Sequence, residues 1–197
     1  MKRKIVKIAA ISLSLIAVSM SSYAGDGSQL FNKGDKDVNL MVGFVDTYNW
    51  GYAATTSIPA ISLSVDYGLR DDWGPGVFSI GGFIGGSSSK YSYNDLLGDK
   101  WSYKYSQFVV AARATYHYQF VDKLDTYGGV MAGIRHLSGK YTGTASSLFG
   151  SLGDYTYNHF FTPVFAGAKY YFTPKFSVMA ELGWEVAWLN LGVCVKL

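Results

Sequence analysis

Along eight stretches of the chain, 37–44, 58–70, 76–88, 102–120, 124–138, 157–172, 175–185 and 187–197, apolar residues alternate with polar or small ones at a period of two. That period puts one set on each face of a β-strand, so the pattern predicts eight two-faced strands. In the second stretch Ile61, Leu63, Val65, Tyr67 and Leu69 share one face, and Ser62, Ser64, Asp66, Gly68 and Arg70 share the other. The seventh sets Phe176, Val178, Ala180, Leu182 and Trp184 against Ser177, Met179, Glu181, Gly183 and Glu185. Two places resist the pattern. Gly81-Gly82 and Gly85-Gly86 leave the phase of strand three unclear and predict a bulge or bend there, and Pro163 falls inside strand six, where it removes a ladder donor.

The connections alternate as well. Those after strands two, four and six are tight, at Asp71-Asp72-Trp73-Gly74-Pro75, Val121-Asp122-Lys123 and Thr173-Pro174. Those after strands one, three and five are long and rich in Ser, Gly, Asn and Tyr, while the connection near Glu185 to Ala187 is short. An even strand number with short turns on one side and long loops on the other is the plan of a bacterial outer-membrane barrel. A soluble barrel that carries an apolar ligand shares the strand count but turns its apolar face inward. Here the polar face holds one or two charges per strand among Gly, Ala, Ser and Met, too sparse and too small for a solvated exterior. The bulky apolar face therefore reads as lipid-facing, and the predicted fold is all-β, an eight-stranded antiparallel transmembrane β-barrel.

Composition sharpens this picture. Met1-Lys2-Arg3-Lys4, the apolar run from Ile5 to Met20 and the small residues around Ser22-Tyr23-Ala24 have the layout of a signal peptide cut after Ala24. The expected organisation is a signal peptide over 1–24, a polar leader over 25–36 and the barrel over 37–197. Setting the four basic residues of 1–24 aside from the 17 in the whole chain leaves 13 against 14 acidic ones, so nothing in the charge asks for nucleic acid. The 16 Tyr and 23 Gly suit interfacial girdles and a crowded lumen. Cys194 is a single cysteine without an internal disulfide partner, and no metal or cofactor motif stands out.

Strand parity turns Asp66, Arg113, His117, Arg135, Lys169 and Glu181 inward. Eight strands enclose a space that side chains fill, so these charges are expected to pair and plug the barrel rather than line an open pore. Tyr48, Trp50, Tyr52, Tyr91, Tyr93 and Tyr155 are expected in or beside the extracellular loops, where rings anchor at the membrane interface or stack on a glycan or protein ligand.

The segment Ala168-Lys169-Tyr170-Tyr171-Phe172-Thr173-Pro174-Lys175-Phe176, the following Ala180-Glu181-Leu182-Gly183 and the closing Leu189-Asn190-Leu191-Gly192-Val193 resemble the outer-membrane β-barrel domains common in Bacteroidetes. These are similar in architecture to the small OmpA- and OmpX-type barrels. The resemblance implies a membrane-embedded structural or adhesive protein in the outer membrane of a Gram-negative cell, in contact with lipid and lipopolysaccharide, and brings no catalytic residues.

One enzymatic alternative remains. His136 and Ser138 lie two residues apart on the outer face of strand five, a spacing that lets an imidazole activate a hydroxyl beside a lipid acyl ester. The pair resembles the His-x-Ser of the lipid A deacylases, but Gly139 stands where that family has an asparagine, and no glutamate occurs between Ser138 and Glu181. The reading is therefore a non-enzymatic barrel without an open pore that works through its extracellular loops. The alternatives are a lipid A hydrolase at His136 and Ser138 and a soluble carrier of an apolar ligand.

Overall fold

The computed structural model describes residues 29–47, 56–94, 100–143 and 153–197. Tyr48, Trp50 and Tyr52 lie outside them. Among the described residues nine antiparallel strands follow one another: β1 (Lys36–Asp46), β2 (Thr56–Arg70), β3 (Val77–Asn94), β4 (Lys100–Val121), β5 (Leu124–Gly143), β6 (Tyr155–Phe161), β7 (Val164–Thr173), β8 (Phe176–Gly183) and β9 (Ala187–Lys196). Each pairs with its neighbour in sequence except that β5 pairs with both β6 and β7, and the pairing of β1 with β9 closes the ring. The strands β6 and β7 are the upper and lower parts of one stave. Gly133 faces Phe161 and Val130 faces Val164, so the register on β5 runs on unchanged past the interruption at Thr162-Pro163. Pro163 has no N–H to give, but its carbonyl accepts from Met131 N at 2.9 Å, which leaves the neighbouring strand satisfied. The result is a closed barrel of eight staves.

The side chains are distributed inside out relative to a soluble protein. Leu40, Val42, Ile61, Ile84, Val110, Ile134, Leu182 and Val193 stand exposed on the outer wall, whereas Asp37, Asn39, Asp66, Arg113, Lys169 and Glu181 are buried within it. An apolar carrier would show the reverse. A closed ladder leaves no backbone edge within the belt and an apolar exterior needs no water, the two conditions for crossing hydrocarbon with strands. Aromatic residues rim the lower edge of the belt, where Phe172 stacks on Phe176 at 6.5 Å and meets Tyr170 edge-on at 5.2 Å. In the turn that follows β2, Arg70 grips Asp72 at 2.9 Å, and this hydrogen bond holds the Asp72 carboxyl below the usual carboxylate range.

Strand three has a clear phase after all. Its pairing with β4 is continuous from Val77 opposite His117 to Asn94 opposite Lys100, with Ile80, Gly82 and Ile84 outward and Ser79, Phe83 and Gly85 buried. The glycines hide the parity because they lack a side chain, while the backbone ladder persists. The irregularities fall instead in the pairing with β2, between Ile58 and Ile61 beside Pro59 and between Gly68 and Arg70.

The connection after strand three is not the long loop expected. The β3–β4 ladder climbs until only residues 95–99 separate its strands. The tyrosines and serines read there as loop alternate on a strand, where aromatic side chains gain from cross-strand neighbours. The barrel wall is consequently uneven. β4 has 22 residues and β5 has 20, against 11 in β1 and 10 in β9. At the usual rise and tilt, β4 reaches roughly 55 Å, about twice the height of a hydrocarbon belt. The long staves thus stand as a wall above one side of the extracellular mouth.

Candidate functional site

Inward-facing polar residues from several strands meet in one network, with Arg113 at its centre. Its Nε lies 2.8 Å from Asp66 Oδ1 and its Nη2 3.0 Å from Glu181 Oε2, and the guanidinium also covers the Phe165 ring at 4.3 Å. Lys169 Nζ reaches Asp37 Oδ2 at 2.7 Å and Asp66 Oδ2 at 3.7 Å. Asn39 donates to Asp66 Oδ2 at 2.9 Å, and Tyr171 OH donates to Asp37 Oδ2 at 3.0 Å. Asp66, Arg113, Lys169 and Glu181 thus form one cluster, joined by Asp37, Asn39 and Tyr171, which the sequence reading did not single out.

The other two inward residues sit apart from this cluster. His117 Nδ1 is 2.8 Å from Asp125 Oδ2, and its ring stacks on Phe31 at 4.1 Å. Phe31 belongs to the leader, which folds across the periplasmic mouth. Leu30 N donates to Gln119 Oε1 at 2.8 Å, while Lys196 Nζ bonds the Leu30 carbonyl and pairs with Asp35 at 2.9 Å. The lower mouth is therefore capped by residues ahead of the first strand.

Arg135 finds backbone instead of a carboxylate. It donates to the carbonyls of Trp184, at 2.9 Å, and Glu185. These belong to the β8–β9 connection, which turns into the barrel and leaves Val186 and Ala187 fully buried. Thr47 N and Gln107 Nε2 hold the Val186 carbonyl at 3.1 and 3.0 Å, and Asn190 holds Glu185 Oε2 at 2.7 Å. A short hairpin connection thus closes the barrel at the upper end, where a solvent-exposed turn would have served to join the strands.

Above this closure, the inner face of the tall wall is aromatic. Tyr155, Tyr157, His159 and Phe161 follow one another down β6 with successive ring separations of 6.2, 5.5 and 6.2 Å. Tyr105 lies 4.5 Å from Tyr103 and 5.6 Å from Tyr91 across the same mouth. A Cβ on Gly139 would fall 2.3 Å from the Tyr155 ring and 2.5 Å from Tyr103 OH, so the glycine is what lets these rings meet over β5. Tyr91, Tyr93 and Tyr155, expected in loops, are therefore strand residues, and the rings of Tyr91 and Tyr155 face the mouth. The reason is the extension of β3 to β6 beyond the membrane.

His136 and Ser138 both stand on the outer wall, and no hydrogen bond joins them. His136 Nδ1 is instead 2.7 Å from Asn158 Oδ1 on β6. That contact fixes the ring, but a neutral amide gives an imidazolium none of the charge stabilisation that a carboxylate supplies. Among the described residues no cluster of His, Cys, Asp and Glu has the geometry to hold a metal ion.

A polar lumen, an apolar belt and a closed antiparallel ring agree with the sequence family that matches. The model of the outer membrane protein beta-barrel domain covers residues 10–184. The chain belongs to this family. Among solved structures, this family member is similar to Ail, the attachment invasion locus protein of Yersinia pestis, determined in complex with the heparin analogue sucrose octasulfate, at 16% identity over 84% of this chain and 99% of that one, with a TM-score of 0.45. It is also similar to the N-terminal β-barrel domain of Pseudomonas aeruginosa OprF, at 18% identity over 85% and 100% and a TM-score of 0.46. Neisserial surface protein A follows at 14% identity over 83% and 94%, with a TM-score of 0.41. No curated protein matches in sequence.

Proposed function

We propose that this outer-membrane barrel is a non-conducting surface element that binds an extracellular ligand in its aromatic mouth. The observation that carries the reading is the combination of a lumen occupied at three levels with an aromatic wall above it on which Tyr157 stays exposed. Ion pairs occupy the middle of the barrel, the leader lies across the lower end and the β8–β9 connection across the upper end, and these three layers support a lumen closed to solute. The mouth, by contrast, keeps Tyr157 exposed beside half-buried Tyr155 and His159. Stacked rings with polar tips suit the apolar faces of sugar rings, so a glycan is the ligand class the surface fits.

The hydrolase reading is the weaker one, because the ring of His136 is held by Asn158 rather than by an acid. Reconstituted in planar bilayers, the protein is expected to show no steady conductance, and lipid A incubated with it keeps its acyl chains. On a glycan panel the lipid-embedded barrel retains one or more sugars, and Tyr155→Ala with Tyr157→Ala removes that binding at least tenfold. Stable channel steps, or a panel without any retained glycan, overturn the proposal.

A further inference from the structure

The outer face of the tall wall carries rows of side chains that change character with height. Ile84 on β3, Val110 on β4, Ile134 on β5 and Phe160 on β6 lie directly opposite one another, as one apolar row. Four residues higher on β4 and β5 the pairing aligns Ser88, Ser106, Ser138 and Thr156, a row of hydroxyls in which Ser88 Oγ and Ser106 Oγ are 3.1 Å apart. Two residues higher again, Lys90 faces Lys104 and Lys104 faces Lys140. All three lysines are exposed.

Like charges directly opposite on neighbouring strands repel and are ordinarily avoided. Among the described residues none of the three ammonium groups has a salt-bridge partner within 4.0 Å. Asp154, the acid that follows the row beyond Lys140, accepts from Tyr141 N at 2.8 Å and makes no ion pair with Lys140 within 4.0 Å. The row stands four residues above Phe108, the last large apolar side chain on the outer face of β4, which is about 10 Å of height at the usual strand tilt. A lysine side chain is long enough to span much of that height toward the membrane surface. The phosphorylated sugar headgroup of an outer-leaflet glycolipid has the charge and the height to meet three cations above a layer of hydroxyls.

We infer that Lys90, Lys104 and Lys140 form a binding strip for the phosphate groups of lipid A on the outer wall of β3 to β5. The strip rests on the barrel crossing the membrane at its apolar belt, and it is independent of what the aromatic mouth binds. The ammonium row neutralises the phosphates, and the hydroxyl row beneath faces the sugar and the first acyl carbonyls.

The test is native mass spectrometry of the protein released from vesicles of phosphatidylcholine doped with bisphosphorylated lipid A, dephosphorylated lipid A or phosphatidylglycerol. The wild-type barrel is expected to retain bisphosphorylated lipid A at least tenfold more than either other lipid, with retention falling as salt is raised. The variant K90Q/K104Q/K140Q loses that excess, while K123Q, at the periplasmic turn, keeps it. A shift in gel mobility on heating confirms that the triple variant has folded, and K104Q alone, at the centre of the row, replaces it if it has not. Equal retention by wild type and folded variant overturns the inference. So does equal retention of the dephosphorylated lipid, or of phosphatidylglycerol, which would make the strip a generic anion site.

Discussion

Arg113 is the residue on which the lumen depends most, because it stands between two carboxylates that face each other in the interior. Removing one partner of a buried pair leaves a charge without compensation, at a cost of about 3–5 kcal/mol, whereas replacing the whole pair with apolar groups is often neutral. Arg113→Leu is therefore expected to lower the unfolding free energy of the barrel, read from urea denaturation in detergent, by an amount in that range. Arg113→Leu combined with Glu181→Leu recovers most of the loss, since Asp66 keeps Lys169 and Asn39. Parity along the strands was enough to read these side chains as inward. Which of them meet was not readable, because contact across a barrel depends on stagger, and stagger is set by the geometry of the seven connections between staves and of the closing β1–β9 seam. Asp37, Asn39 and Asp125 lie on the same inward parity as the residues that were singled out, so the signal for them was present in the alternation itself.

At the scale of elements, the strands were legible wherever side chains alternate and illegible where they do not. The β2 stretch reads cleanly, and its predicted outward set from Ile61 to Leu69 is the exposed one. The glycines of β3 erased parity without disturbing pairing, and the Tyr- and Ser-rich tops of β3 and β4 imitated loop composition while forming ladder. The two end caps had no periodic signal at all. The leader is seven described residues ahead of β1, and beside its hydrogen bonds to Gly68 and Gln119 and its contacts with Lys196 it buries one ring, Phe31, which is 2% exposed. Phe31→Ala is expected to release it. Limited proteolysis of the folded protein then cuts within residues 29–36 of the variant and spares those of the wild type, while β1 to β9 stay protected in both.

The whole molecule is an inverted protein, with its ion pairs inside and its aliphatic side chains outside. That inversion decides between the two eight-stranded plans the sequence allowed. It also implies a closed hydrogen-bonded ring that detergent alone does not open. In gels run without boiling, the protein is expected to migrate as a compact band that shifts on heating, and the shift disappears if the material is a soluble or unfolded chain. The three lysines show the same dependence on scale. Each is an ordinary surface residue in the sequence, and only the register of three neighbouring strands puts them in line.

The leader adds a constraint of a different kind, on the order in which the protein is made. Phe31 is seated against His117 of β4, but Leu30 and Asp35 are held by Lys196. The first described residues therefore wait for almost the last. A chain that has formed β1 to β8 has neither the seam between β1 and β9 nor the ammonium group that fastens the leader. The last fastening, at Lys196, can close only on a finished ring, so the leader is held at every point only once assembly is complete.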